Sequence, residues 1–392
     1  MTTAFKVPMS SPDLTDAERE AVAAVLRTPN LSMGAEIQAF ERAIRQVTGS
    51  QFAIGVNSGT AGLHLCVHAA QIEAGDLVIT TPFSFVASTN VLLFEQAIPV
   101  YVDVDPQTGN IDPAQMRQAA EDLVTGGKAA ERWLPRMLPD KIGKLKAILP
   151  VDVFGQPVDM DPIQETADAF GLKIIEDSCE ALGAVYKGRP AGSLGDYGVF
   201  AFYPNKQITT GEGGVIVTDD EQAARKMLAL RNQGRAPGDT WLQHTYLGYN
   251  YRLDEMSAAL GRVQCARLDE LLARRQQVAD WYQQALRDVA GVETLAISDH
   301  TDRMSWFVYV VRFDPGIDRD QVAARLVEQG IPARPYFIPI HLQPYLVERF
   351  GYQAGDYPVT EDLGQRGLAL PFSSVMSQEQ VHIVCAALKN SL

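Results

Sequence analysis

The chain has 392 residues, 46% of them hydrophobic and 21% charged, which suits a large core plus a smaller satellite and excludes a disordered chain. Its net charge of −14, from 34 basic and 48 acidic residues with no long basic run, argues against nucleic acid or an anionic membrane as partner. A small anionic ligand stays possible, because a pocket can be locally positive in an acidic protein.

No basic start followed by an apolar stretch opens the chain, and no run approaches the ~18 apolar residues of a membrane span, so a cytoplasmic location is expected. Cys66, Cys179, Cys265 and Cys385 lie far apart without CxxC spacing. Reduced thiols are expected, and neither a disulfide framework nor a metal site is.

Residues 1–35 read as an N-terminal arm with a helix near 15–27. Short apolar runs then alternate with helical patterns. The expected strands are 52–56, 77–81, 98–102, 145–151, 172–176, 199–203 and 214–218. Several are continuous apolar runs, as in strands buried on both faces of a mainly parallel sheet. Between them, 60–71 begins with a capping threonine and 161–170 follows a Pro/Asp-rich turn. The stretch 219–231 starts with acids and ends with bases, matching a helix dipole. Residues 121–144, polar and carrying Trp133, read as an insertion with some helix. After Asn250 the pattern changes to a long amphipathic helix over 254–289, a strand at 306–312 and a helix at 319–328. A Pro-rich loop over 332–344 and a last helix at 378–390 follow. The whole predicts an α/β chain: the arm, a large domain over 36–253 with a mostly parallel central sheet, and a smaller C-terminal α+β domain over 254–392.

Four segments carry candidate chemistry. In Phe202-Tyr-Pro-Asn-Lys-Gln-Ile-Thr-Thr-Gly-Glu-Gly-Gly214, Lys206 sits just past an apolar strand, before a glycine-rich turn. Burial would lower its pKa and make the amine nucleophilic towards an aldehyde. Taken singly, it also reads as a surface loop lysine. A P-loop does not fit, because the glycines follow the lysine. In Leu172-Lys-Ile-Ile-Glu-Asp-Ser-Cys-Glu180, Asp177 ends an apolar strand, where parallel sheets bind ligands. A carboxylate there can pair with a pyridinium nitrogen, or simply cap a following helix. In Val56-Asn-Ser-Gly-Thr-Ala61, a strand runs into a helix whose N-terminus offers a phosphate site, or a plain capped helix. In Thr81-Pro-Phe-Ser-Phe85, the final aromatic can stack on a flat ring or fill a core. Each signal is weak or moderate alone. Together, a phosphate cradle, an aromatic, a carboxylate and a lysine fall at strand ends in the order pyridoxal phosphate needs.

These motifs, with Gly248-Tyr-Asn-Tyr-Arg252 and Pro335-Tyr-Phe-Ile-Pro-Ile-His341, resemble the DegT/DnrJ/EryC1/StrS sugar aminotransferases over nearly the whole chain. The resemblance implies a fold-type-I pyridoxal-phosphate enzyme with Lys206 as Schiff-base residue and proton shuttle, and Asp177 on the pyridinium. It further implies phosphate binding by Gly59, Thr60 and Ala61, a ring covered by Phe85, and Asn250 reaching the cofactor of a second subunit in a homodimer. Tyr336 and His341 match a loop near the substrate, though His341 also reads as an ordinary loop histidine. Two departures stand out. Glu180 occupies a position that is glutamine in many members, where it contacts the cofactor's 3-oxygen; an acid there resembles the perosamine-type branch. Ala201 replaces a serine that bonds the phosphate. Related dehydratases carry histidine where this chain keeps Lys206, which favours transamination. The implied reaction moves an amino group, from glutamate, to a nucleotide-linked keto-sugar, a 4-keto-6-deoxyhexose. Rival readings are a cyclitol-ketone aminotransferase, an aminobenzoate-type synthase, or a non-catalytic cofactor-binding regulator; no DNA-binding motif supports the last.

Overall fold

The structure, a computed structural model, describes residues 5–392. The first four residues of the expected arm lie outside the described residues. Seven strands form the central sheet: β1 (Phe52–Val56), β2 (Leu77–Thr80), β3 (Ile98–Tyr101), β4 (Leu145–Leu149), β5 (Lys173–Asp177), β6 (Tyr197–Ala201) and β7 (Gly214–Thr218). Their order is β1-β7-β6-β5-β4-β2-β3. β7 runs antiparallel to both neighbours, and the other pairings are parallel. Six strands therefore point one way. Every residue of β2, β3 and β7 is buried, as continuous apolar runs require when both faces of a sheet are covered. Because β7 turns straight back from β6, their connecting loop lies at the edge where β1, β2 and β5 also end. That loop carries Lys206.

A second sheet contains β8 (Val292–Thr294), β9 (Tyr309–Phe313), β10 (Arg334–Pro335) and β11 (Gly367–Leu370), ordered β8-β9-β11-β10 and antiparallel throughout. Helix Gln378–Ser391 packs on helices Leu268–Leu286 and Arg319–Glu328 beside it. Among the described residues no helix is long and apolar enough to cross a membrane.

Three local features depart from the sequence expectation. The long helix over 254–289 is two helices, Glu255–Ala266 and Leu268–Leu286, parted at Arg267 (φ −104°, ψ 5°). Arg267 pairs with Asp13 at 2.7 Å and Glu18 at 2.8 Å, tying the N-terminal segment to the break. The expected strand at 306–312 begins only at Tyr309, since Trp306 lies at φ 46°, outside extended geometry. Residues 185–186 and 189–190 form a small hairpin that pairs with Thr301–Arg303, which no periodic pattern announces. The expected helix near 15–27 is Asp16–Val25, started by a capping box between Thr15 and Glu18. Within 121–144, helix Pro113–Thr125 runs in and stops at two positive-φ glycines, and a short helix Lys128–Glu131 follows. Trp133 donates its indole N–H to Asp122 at 2.7 Å.

Candidate active site

The edge where β1, β5 and β6 end borders a pocket of about 460 Å³, within the roughly 300–1,000 Å³ range of small-molecule sites. At the end of β1, Ser58 caps helix Gly59–Ala69 by accepting from the Ala61 amide at 3.1 Å. The amides of Gly59 and Thr60, first in the helix, have no intrahelical acceptor and meet the pocket with the positive end of the dipole. Ala61 differs from the expectation: its amide is taken by Ser58, and it does not line the pocket. Gly59 is required by space. A Cβ there would lie 2.7 Å from the Ala201 methyl and 2.8 Å from Cys179 Sγ.

Asp177, the last residue of β5, is buried and accepts from the Cys179 amide at 3.2 Å. No helix begins after it, so the capping alternative has no helix to cap. Burial raises its carboxyl above the ordinary value, opposed by the Cys179 contacts and the Lys206 charge. Lys206 is not a surface residue, for its side chain is only 13% exposed. Its Nζ lies 3.6 Å from Glu180 Oε1 and 3.7 Å from the centroid of the Phe307 ring. Glu180 also accepts from the Phe154 amide at 2.9 Å.

Phe85 lines the pocket with two-thirds of its surface exposed, and Ala201 presents a methyl to the same space. Tyr336 lines it as well, its hydroxyl pushed up to about 12 by burial. His341 does not. It is fully buried against Tyr357, with ring centroids 4.7 Å apart and Nε2 3.0 Å from Glu361 Oε1. Asn250 is exposed, away from this pocket, its carbonyl accepting from Asn57.

Sequence reasoning missed three contributors. Phe307 and Arg334 reach the pocket from the second sheet region, and no local motif marks either. The third is Arg275, 2% exposed on helix Leu268–Leu286. Its guanidinium donates to the carbonyls of Asn205 (3.2 Å), Lys206 (2.5 Å), Trp306 (3.0 Å) and Phe307 (3.3 Å). One buried cation thus clamps the lysine loop to the segment holding the ring beneath its amine. Burial lowers the Arg275 pKa to about 10, which leaves it charged at neutral pH. Arg275→Met removes the fork from four carbonyls. It is expected to cost about 1–3 kcal/mol in urea unfolding and to lower kcat more than it raises KM, because the loop carrying Lys206 loosens.

A largely buried amine and a buried carboxylate on one pocket, beside a helix N-terminus, form the working set of a pyridoxal-phosphate transaminase. The amine can take the aldehyde, the carboxylate can meet the ring nitrogen, and the free amides can meet the phosphate. The chain belongs to the DegT/DnrJ/EryC1/StrS aminotransferase family, whose model matches residues 12–389. It is 38% identical over 390 residues to the GDP-perosamine synthase of Caulobacter vibrioides, covering 99% of this chain and 98% of that one. Among solved structures it resembles S. venezuelae DesV in complex with a ketimine intermediate (TM-score 0.85, 30% identity, 98% of each chain). It also resembles the PLP form of the putative sugar aminotransferase Spr1654 from Streptococcus pneumoniae (TM-score 0.87, 26% identity, 98% of each chain). The protein is a pyridoxal-phosphate-dependent sugar aminotransferase of this family.

Proposed function

We propose that this aminotransferase moves an amino group from glutamate to a nucleotide-linked 4-keto-6-deoxyhexose, acting as a homodimer with shared active sites. The observation that carries the substrate reading is the end-to-end likeness to a GDP-perosamine synthase. The acid at position 180, inside the pocket, agrees with it. Bound pyridoxal phosphate would supply an electron sink for the carbanion formed when the substrate loses a proton.

The chain's own residues do the rest. Gly59 and Thr60 amides would hold the phosphate, and Phe85 would cover the ring. Asp177 would keep a positive charge on the ring nitrogen. Lys206 would hold the aldehyde carbon, then carry the proton to and from the carbon bearing the amine. Phe307 and Glu180 restrict where that amine points, one by its ring face and one by its carboxylate. Asn250, exposed and outside its own pocket, would contact the cofactor of the second subunit. The test is to incubate the cofactor-loaded enzyme with glutamate and a panel of nucleotide keto-sugars, cyclitol ketones and aminobenzoate precursors, and identify amines by mass. An aminated nucleotide 4-keto-6-deoxyhexose is expected. Turnover of a cyclitol ketone alone would overturn the sugar reading.

Glu180 also gives a pH prediction. Burial, partly offset by Lys206, raises its carboxyl above the ordinary value. A raised carboxyl contributes stability while protonated and loses it as pH climbs through the folded-state value. Glu180→Gln removes that loss. In the cofactor-free protein, the variant's urea midpoint is expected to gain on the wild type as pH rises from about 4 towards 8. A gap that is constant with pH would contradict this.

A further inference from the structure

Away from the pocket, the described residues hold a group of imidazole and carboxylate atoms that converge on one point. His64 and His68 lie one turn apart on helix Gly59–Ala69, so both rings leave the same face. Glu95, at the C-terminal end of helix Ala87–Phe94, sets its Oε1 2.8 Å from His64 Nε2 and 3.1 Å from His68 Nε2. The three ligand atoms all lie within 4.8 Å of one another. We propose that His64, His68 and Glu95 bind one divalent transition-metal ion of the zinc class, with the Tyr249 hydroxyl or a water as fourth ligand.

The spacing is close to what such an ion needs. Bonds of about 2.0–2.1 Å in a tetrahedron put ligand atoms about 3.3 Å apart, so the two Glu95 contacts of 2.8 and 3.1 Å have to open by only a few tenths of an ångström. Neutral rings leave one contact unused, since His68 Nε2 and the Glu95 oxygen, 3.1 Å apart, are both acceptors when Tyr249 donates to the ring. His68 Nε2 lies 2.7 Å from the Tyr249 hydroxyl and also faces the Glu95 oxygen. A bare Nε2 accepts from Tyr249 but turns its lone pair on the carboxylate. A cation at the shared point takes every lone pair. His64 already has the outer support typical of a ligand, its Nδ1 lying 3.0 Å from the Tyr251 hydroxyl. Both helices also end at the cluster, where the negative ends of their dipoles favour a cation.

The ion would staple the far end of the helix whose first turn meets the pocket to the 249–251 segment beside Asn250. Its chemistry is structural and lies apart from the transamination residues, so it stands or falls independently of the substrate reading. The test uses the cofactor-loaded enzyme after chelator treatment and gel filtration. It is titrated with Zn²⁺ by calorimetry and with Co²⁺ by visible spectroscopy. One ion per chain is expected, with the intense visible bands of four-coordinate cobalt. His68→Ala and Glu95→Gln should each weaken binding by about 100-fold or more and remove the bands, since even outer-shell losses cost about 10- to 100-fold. Glu95→Gln keeps shape and hydrogen-bonding capacity, so it secures the test if His68→Ala does not fold; cofactor absorbance and turnover report folding in both. Absence of saturable binding, or binding unchanged in the variants, would overturn the site.

Discussion

Lys206→Ala is expected to abolish turnover while the protein still binds pyridoxal phosphate without a covalent bond. The ε-amine is held in one place by a buried clamp, between the Phe307 ring and the Glu180 carboxylate, so no other amine in the pocket stands ready to replace it. Arg334, the other cation lining the pocket, offers a guanidinium fork suited to carboxylate or phosphate and not the nucleophilic amine of a lysine. Positioned proton transfer contributes about 100- to 10,000-fold, and the variant should lose at least that in kcat with glutamate. The checks are steady-state turnover and borohydride fixation, which should label the 206 peptide in the wild type and nothing in the variant. Normal turnover by the variant would remove Lys206 from the chemistry.

Asp177→Asn should be nearly as damaging for a different reason. Asparagine keeps the size of the side chain, and its Oδ1 can still accept from the Cys179 amide, so the local fold is expected to persist. What disappears is the negative charge in a buried place, where electrostatic stabilisation is strongest. Asp177 would hold the ring nitrogen of the bound cofactor with that charge, and asparagine could not supply it. A fall in kcat of about 100- to 1,000-fold is expected, in the range seen when one preorganised electrostatic contact is removed. Unfolding of the apo variant should show no loss of stability, because burial alone raises the native carboxyl and disfavours its charge. A variant that is inactive only because it is unfolded would refute this assignment.

The central sheet was legible because its strands are buried on both faces. Their apolar runs stop at polar turns, so each of the seven was placed within a few residues, and 52–56 and 214–218 match the observed ends. The lysine and aspartate were legible for the same reason, each lying just beyond such a run. What stayed hidden depends on contacts distant in the chain. The break at Arg267 has no proline or glycine to mark it; it coincides with ion pairs to residues about 250 positions away. Arg275 reads as one more polar residue of an amphipathic helix until four carbonyls are seen around it. His341 sits in a motif that matches the family loop, yet its ring turns into a cluster of tyrosines, where it packs on Tyr357 and its Nε2 meets Glu361. The His-x3-His spacing at 64 and 68 is visible in the sequence, but Glu95 joins it only through the packing of a second helix.

The clamp has a consequence for how the enzyme is made. When Thr218 leaves the ribosome the seven strands exist, but Arg275, Phe307, Arg334 and Tyr336 have yet to be synthesised. The nascent chain therefore carries Lys206 on an unanchored loop, with one wall of the pocket absent. Cofactor capture is therefore expected late in the life of this polypeptide, and chains truncated before the second sheet should leave the translation machinery without it.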